Sequence, residues 1–467
     1  MISTEDLLAR LSSIVGSEAV LQGDAITEDL TTDEGLVSVP TAPLAVVMPA
    51  TTAEVAAIVA LARERRLPLT ARGSATGLSG GCVPTPGGLV VSFARMKAIL
   101  EIDESNHVAV VQPGVTLSEL ESVIRPRGLV YPVYPGEHGS SLGGNVNTNA
   151  GGMRAVRYGV TRHNVLGLEM VLGTGEVVRA GGKYVKSSTG YDLSQIVIGS
   201  EGTLALVTEV TLKLQPLYRH SATVLAPFRA LAEVATAVPA VVASALTPTL
   251  LEYIDMLTMS SITASEGLDL GIPEDLRQAA NAYLVVVLEQ RTSERVEEDV
   301  EALGLLLEEA GAMDVFVLPG QAGSALIRAR ERAFFVAKAA GADDIIDVVV
   351  PRDCLAVYLE AAGKLAAEHG CFCVGCGHAG DGNIHLSVFQ PDAERREEFL
   401  VELYRTAVEL GGAISGEHGI GTAKQAAFLL LEDPARIALM RRIKASFDPL
   451  GILNPDKVLG TTQEAGS

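Results

Sequence analysis

Tryptophan is absent from this chain, and cysteine is scarce, with 5 in 467 residues. So few thiols do not make the disulfide framework of a small secreted domain. Cys371, Cys373 and Cys376 cluster, but no fourth cysteine follows to complete a tetrahedral metal site or an internal iron–sulfur relay. Their run reads as a buried strand. Basic residues are also short, at 36 Lys and Arg against 57 Asp and Glu, for a formal net charge of -21. That excess argues against a nucleic-acid partner and against tight binding to an anionic membrane. There is no basic leader running into an apolar stretch, and no uninterrupted run of membrane-spanning length. The expected location is cytoplasmic, compatible with peripheral attachment at the inner membrane face through a partner.

What is present is the composition of a globular protein: 48% hydrophobic residues, with 47 glycines and 21 prolines spread among patterned apolar runs. This length supports more than one core. Ser3 and Gly16 bracket a short amphipathic helix, and "TAEVAAIVALARERR" repeats the helical pattern before a strand and a glycine-rich loop. Hairpin-like alternation follows at "AILEIDESNHVAVVQPG" and "VLGLEMVLGTGEVV", and "GTLALVTEVTLKL" is a strand. Beyond about 215, helices near 227–240, 291–310, 324–340, 393–410 and 423–444 alternate with strands that include "YLVVVLE" and 371–389. The expectation is an α+β protein divided at 1–215, 216–415 and 416–467. The tail "GTTQEAGS" has no apolar face and reads as flexible.

Two loops are rich in glycine and small polar residues. "PLTARGSATGLSGG" places Arg72, Gly73, Ser74, Ala75, Thr76 and Gly77 where backbone amides can face a diphosphate, with Arg72 to neutralise it. "PGEHGSSLGGNVNTNAGG" adds Pro135, Gly136, Ser140, Ser141, Gly143, Gly144 and Asn147 as a second donor-rich surface. Neither matches the G-x-G-x-x-G context of a dinucleotide fold. Further along, "CGHAGDGNIH" carries His378 and His385 around a tight turn, and "SGEHGIG" supplies Glu417 beside His418. Two imidazoles and one carboxylate suit a divalent ion with an open position for a substrate oxygen. A polar hairpin edge and an acid at a helix start are the alternative.

The ordered set of "PLTARGSATGLSGG", "PGEHGSSLGGNVNTNAGG", "GSEGTLALVTEVTLKL", "GHAGDGNIH", "SGEHGIGTAKQ" and "LNPDKVL" resembles the FAD-linked oxidases of the vanillyl-alcohol-oxidase type. The resemblance covers roughly residues 35–460 and is nearest to glycolate oxidase large subunits and bacterial D-lactate dehydrogenases. It implies a two-subdomain FAD-binding domain, an α+β substrate cap and a C-terminal helical return to the flavin. Gly202 and Asn454 lie in segments that would hold FAD from the other side. Relatives with covalent FAD carry histidine where Thr76 stands, so noncovalent FAD is expected. The resemblance makes His378, His385 and Glu417 ligands of a divalent metal, Zn or Mn, His418 the catalytic base and Arg330 the substrate carboxylate clamp. Ile345 stands where 2-hydroxyglutarate enzymes have lysine, which favours glycolate, D-lactate or another short 2-hydroxy acid. Tyr134 and His138 could also approach substrate, whereas the remaining histidines read as surface or structural. Reduced flavin would pass electrons to oxygen, a quinone, an electron-transfer protein or an iron–sulfur partner subunit, in a homo-oligomer or a hetero-complex. The rivals are a noncatalytic flavin-binding subunit, a 2-hydroxyglutarate dehydrogenase and an ether-lipid synthase.

Overall fold

The computed structural model describes residues 3–460; most of the tail read as flexible, 461–467, lies outside them. Ser3 caps the helix Thr4–Val15 by accepting from the Asp6 amide at 3.2 Å, and Gly16 closes it at φ 88°. This helix and Thr52–Arg65 cover a small sheet in which Ala45–Val47, Leu89–Ser92 and Leu69–Arg72 run parallel. Leu11, Ile58, Leu89 and Leu453 are wholly buried between them. Burial of such side chains contributes ~1.5–3 kcal/mol each, an upper bound because the unfolded chain is itself partly compact.

A second, antiparallel sheet runs in the order Ile99–Asp103, Val108–Val111, Ala205–Lys213, Val165–Leu172, Val177–Gly181. The helix Leu117–Ile124 packs on it, started by a capping box in which Thr116 and Glu119 satisfy each other's backbone amides. The two sheets and their helices form the α+β framework expected for the flavin half.

The third sheet has seven antiparallel strands, ordered Phe316–Leu318, His220–Phe228, Ala282–Gln290, Leu250–Asp255, Phe372–His378, Asn383–Phe389, Asp344–Val349. Side chains alternate across it. Leu251, Tyr253, Ile346, Val348, Ile384 and Leu386 face one way, into a core with the helices Leu231–Ala243, Ser293–Glu309, Leu355–His369 and Ala393–Glu409. The intervening positions, among them Glu252, Ile345, Asp347, Val374, Cys376, His385 and Ser387, therefore face the other way, toward the flavin half.

Three expected helices differ. The one near 227–240 begins only at Leu231, because the strand before it runs to Phe228. The one near 324–340 is two, Gly320–Glu331 and Ala333–Ala339, separated at Arg332. The one near 423–444 is also two, Gln425–Leu431 and Pro434–Phe447. Pro434 has no amide to continue the first helix but suits the first turn of the second, which Asp433 caps by accepting from Ala435 N. Among the described residues, no helix is long and apolar enough to cross a membrane.

Candidate active site

The turn in "CGHAGDGNIH" joins Phe372–His378 to Asn383–Phe389, and Gly382 at φ 83° permits the reversal. His378 and His385 emerge from adjacent strands with ring centroids 5.0 Å apart. Glu417 reaches them from the loop after Ala393–Glu409: its Oε1 lies 3.2 Å from His378 Nε2 and 3.3 Å from His385 Nε2. His378 Nδ1 is 2.7 Å from Glu252 Oε1. With a proton on Nδ1 shared there, Nε2 faces the Glu417 carboxylate either as the second N–H of an imidazolium or, when deprotonated, as a lone-pair donor to a cation held between them. An ion with bonds of ~2.0–2.1 Å at tetrahedral angles would space its ligand atoms by about 3.3 Å. The donor set thus fits a divalent metal. Burial would lower the His378 pKa, but the Glu252 and Glu417 carboxylates outweigh it and raise it well above the ordinary value. Burial would raise Glu417, and His378 and His385 override it to pull the carboxylate below its usual range.

Asp347, Asp381 and Glu252 were not singled out in the sequence, yet Asp347 organises the neighbouring loop. Its Oδ2 accepts from Ser415 Oγ (2.7 Å), His418 N (2.8 Å), Glu417 N (3.2 Å) and Lys424 Nζ (3.3 Å), and its Oδ1 from Asn383 Nδ2 (2.9 Å). Asp347, His385 and His418 also form a possible ligand triplet. With its lone pairs already committed to five donors, Asp347 is the weaker ligand, so His378, His385 and Glu417 are preferred. The His418 ring stacks on His385 at 5.2 Å. Its Nδ1 is buried without a hydrogen-bond partner, 3.8 Å from Asp347 Oδ2. Burial, opposed by Asp347, lowers the His418 pKa to about 4. The imidazole is neutral at physiological pH and able to accept a proton.

Arg330 is buried at the end of Gly320–Glu331. Its Nη2 stands 2.9 Å from Glu252 Oε2, yet Nη2, Nε and that oxygen all lack aligned hydrogen bonds. A buried guanidinium with free donors in the wall of a cavity suits an anionic ligand. Glu252 thereby touches both a candidate metal ligand and the candidate clamp. Arg328 and Arg332 are placed differently, Arg332 pairing with the exposed Glu266.

The two glycine loops meet. Ser74 N donates to Ser141 Oγ at 3.2 Å and Ser141 N donates to Ser74 Oγ at 3.0 Å, a reciprocal clasp across 67 residues. A Cβ on Gly73 would strike Ser141 Oγ, and one on Gly143 would lie 2.5 Å from Pro113 Cβ. Behind them is a cleft of about 190 Å³ whose walls include Gly77, Gly144, Asn147, Gly202 and Asn454. Ser140 Oγ and Asn145 Nδ2 line it, buried and unpartnered. Small walls and free donors fit a flavin nucleotide. Asn454 ties its floor together: Oδ1 accepts from Ala71 N, while Nδ2 donates to Glu201 O at 2.6 Å and Gly81 O at 3.2 Å. Arg72 lines the cleft as well. Its guanidinium donates to Thr32 O at 2.8 Å and to Asp29 O, so it also fastens the N-terminal loop.

A second cavity, of about 220 Å³, contains Arg330, His378 and His385 in its wall. Thr76, Pro135, Glu417 and His418 belong to both cavities, so the metal-type cluster and the nucleotide cleft share a boundary. Gly136 lines the second cavity alone. Thr76 Oγ1 lies 3.4 Å from Ser74 Oγ, and a hydroxyl there cannot make a histidyl bond to flavin. Tyr134 and His138 pack on each other at 4.5 Å, outside both cavity walls. Cys371, Cys373 and Cys376 are free thiols.

Against known proteins, residues 43–181 match a family described as an FAD binding domain, and residues 217–458 match the C-terminal domain of FAD linked oxidases. The chain is 54% identical to an uncharacterized FAD-linked oxidoreductase of Mycobacterium tuberculosis over 98% of its length and 100% of the relative's. It is 37% identical to a D-lactate dehydrogenase of Anaerostipes hadrus, covering 97% of each chain. It is 35% identical to the glycolate oxidase subunit GlcD of Escherichia coli, over 92% of this chain and 86% of the relative. Among solved structures, p-cresol methylhydroxylase superposes with a TM-score of 0.82 at 17% identity, over 99% of this chain and 98% of that one. At that identity the likeness concerns the fold.

Proposed function

This chain belongs to the FAD-linked oxidases of the glycolate oxidase and D-lactate dehydrogenase type, and from that membership we propose that it oxidises a D-2-hydroxy acid to the 2-oxo acid. One observation carries the reading: Glu417 and His418 stand in the wall common to the nucleotide cleft and the cavity that holds Arg330. A 2-hydroxy acid needs its carboxylate, its hydroxyl and its reacting carbon held at three such points at once.

Bound FAD supplies the acceptor for the hydrogen on carbon, and a divalent ion at His378, His385 and Glu417 supplies positive charge that favours ionisation of the hydroxyl. Arg330 binds the carboxylate through its unpartnered N–H groups and fixes which face of the carbon is presented. His418 takes the hydroxyl proton on a ring nitrogen. Asp347 holds the His418 backbone in place and lies close enough to Nδ1 to favour the imidazolium that results. The FAD is read as noncovalent. The likeness to GlcD supports passage of electrons to a partner subunit.

The test is anaerobic mixing of the metal-loaded holoenzyme with D- and L-lactate and D-2-hydroxyglutarate while flavin absorbance is followed. Bleaching by a D-acid, abolished by a chelator that leaves FAD bound, is expected. An intact flavin that no 2-hydroxy acid bleaches would overturn the reading.

A further inference from the structure

Resting on that reading, the same site says more about the acid's side chain. The sheet that carries the chemistry continues past it. Asp347, His385 and Cys376 stand abreast on three neighbouring strands. Two residues further, the next row on the same face is Ile345, Ser387 and Val374, about 7 Å away at the usual rise. Phe389 lies another two residues on. All four of these side chains line the cavity with Arg330 and His418. Apart from Ser387, the floor therefore turns from polar to apolar along one direction.

The roof is apolar too. The helix Ala333–Ala339 supplies Phe334, Phe335 and Val336 to the cavity, and none of its residues is buried. Phe335 is 41% exposed. A helix that turns aromatic side chains over a cavity without burying them is short of an apolar partner. Ile262 closes the side.

Size and charge narrow the occupant. The cavity of about 220 Å³ borders the nucleotide cleft at Thr76, Pro135, Glu417 and His418, and its extension along Ile345, Val374 and Phe389, past the polar cluster, leaves room for side-chain carbons that a two- or three-carbon acid does not have. Among the described residues in its wall, Arg330 is the sole arginine or lysine, whereas Glu34, Glu137 and Glu331 are present. A second carboxylate would meet Glu137 and Glu331 with no second cation in the wall, because Lys338, behind it, is already engaged by Glu34 at 3.2 Å, and its desolvation would be costly. We propose that the substrate is a monocarboxylic 2-hydroxy acid with an apolar side chain of several carbons, straight, branched or aromatic. Its tail lies over Ile345, Ser387, Val374 and Phe389 and beneath the helix Ala333–Ala339. The absence of a cation at Ile345 favoured a monocarboxylate; the cavity adds that the acid is longer than lactate.

Stopped-flow reduction of the holoenzyme by glycolate, D-lactate, D-2-hydroxybutyrate, D-2-hydroxyhexanoate, D-3-phenyllactate and D-2-hydroxyglutarate tests this. The second-order rate constant should climb about fourfold per buried methylene, or roughly 60-fold from D-lactate to D-2-hydroxyhexanoate, with D-2-hydroxyglutarate near the bottom. Calorimetry on the oxidised holoenzyme should rank 2-oxohexanoate above pyruvate in the same way. Val374→Phe fills the floor and should shrink the hexanoate-to-lactate ratio at least tenfold with FAD retained. A flat series, a series led by lactate or glutarate, or a ratio indifferent to Val374→Phe overturns the long apolar tail while leaving hydroxy-acid oxidation standing. Silence across all six acids sinks both.

Discussion

At the scale of the residue, proton transfer depends on His418 being neutral with a lone pair in reach of substrate. Burial supplies the first condition by lowering its pKa to about 4. Because the lowered pKa makes the competent base the form present above it, kcat/KM for flavin reduction, with the divalent metal kept saturating at each pH, should be level across neutral pH and fall as the pH drops through about 4. An acid limb centred near 6.5, the ordinary histidine value, would show a solvated ring. His418→Asn should reduce the rate by ~10²–10⁴ without changing FAD content. His378, His385, Glu417 and His418 were legible because glycine turns surround them and announce a site. Glu252 and Asp347 were not, because each is set between apolar neighbours inside a strand, in "LLEYID" and "IIDVVV". An acid flanked by apolar residues in a buried strand is itself a signal: its carboxylate must meet a cation or a cluster of donors inside. Both here do, at His378 with Arg330 and at five donors around Asp347.

At the scale of the element, the loop Ser415–Gly421 is hung between two buried carboxylates from different halves of the molecule. Asp347 holds Ser415, Glu417 and His418, and Glu201 accepts from Ile420 N and Gly421 N at 2.7 Å each. Lys424 keeps Asp347 ionised in an interior with no water access of its own; both are nearly inaccessible. Lys424→Met should therefore destabilise the protein by ~3–5 kcal/mol in urea unfolding, since it removes the cation paired with a buried anion and leaves it neutral donors only. The double variant Asp347→Asn with Lys424→Met should be less unstable than the sum of the single changes. Additive losses would mean that the pair does not interact. Period-two and helical patterning disclosed most strands and helices, and the loop's place between them was only implied by resemblance. The helix breaks at Arg332 and at Pro434 were missed because apolar periodicity runs on through them, and only the proline carries a local stop signal.

At the scale of the whole molecule, the chain comes back to its beginning. The Leu69 amide donates to Ile452 O at 2.7 Å and Asn454 N donates to Leu69 O at 2.8 Å, so residues 452–454 extend the first sheet at its edge. Lys444 Nζ bonds Leu453 O at 2.7 Å and Thr203 O at 2.6 Å, bringing the third part of the cradle to the same point. This closure is a contact across 383 residues; local pattern is blind to it, which is why only the ordered motif set anticipated it. Asn454 sits at φ 41°, a left-handed backbone that asparagine tolerates better than most residues. Asn454→Ala removes three hydrogen bonds and leaves the carbonyls of Gly81 and Glu201 and the amide of Ala71 without partners, at ~1–3 kcal/mol for each group that stays dry. The damage falls on the floor of the nucleotide cleft and not on the seven-stranded sheet. FAD affinity, followed by flavin fluorescence, should drop at least tenfold, about 1.4 kcal/mol, while metal binding by the apoprotein is kept. Equal loss of both would mean that the C-terminal return supports the fold as a whole; unchanged FAD affinity would mean that the clasp at Asn454 does not shape the cradle.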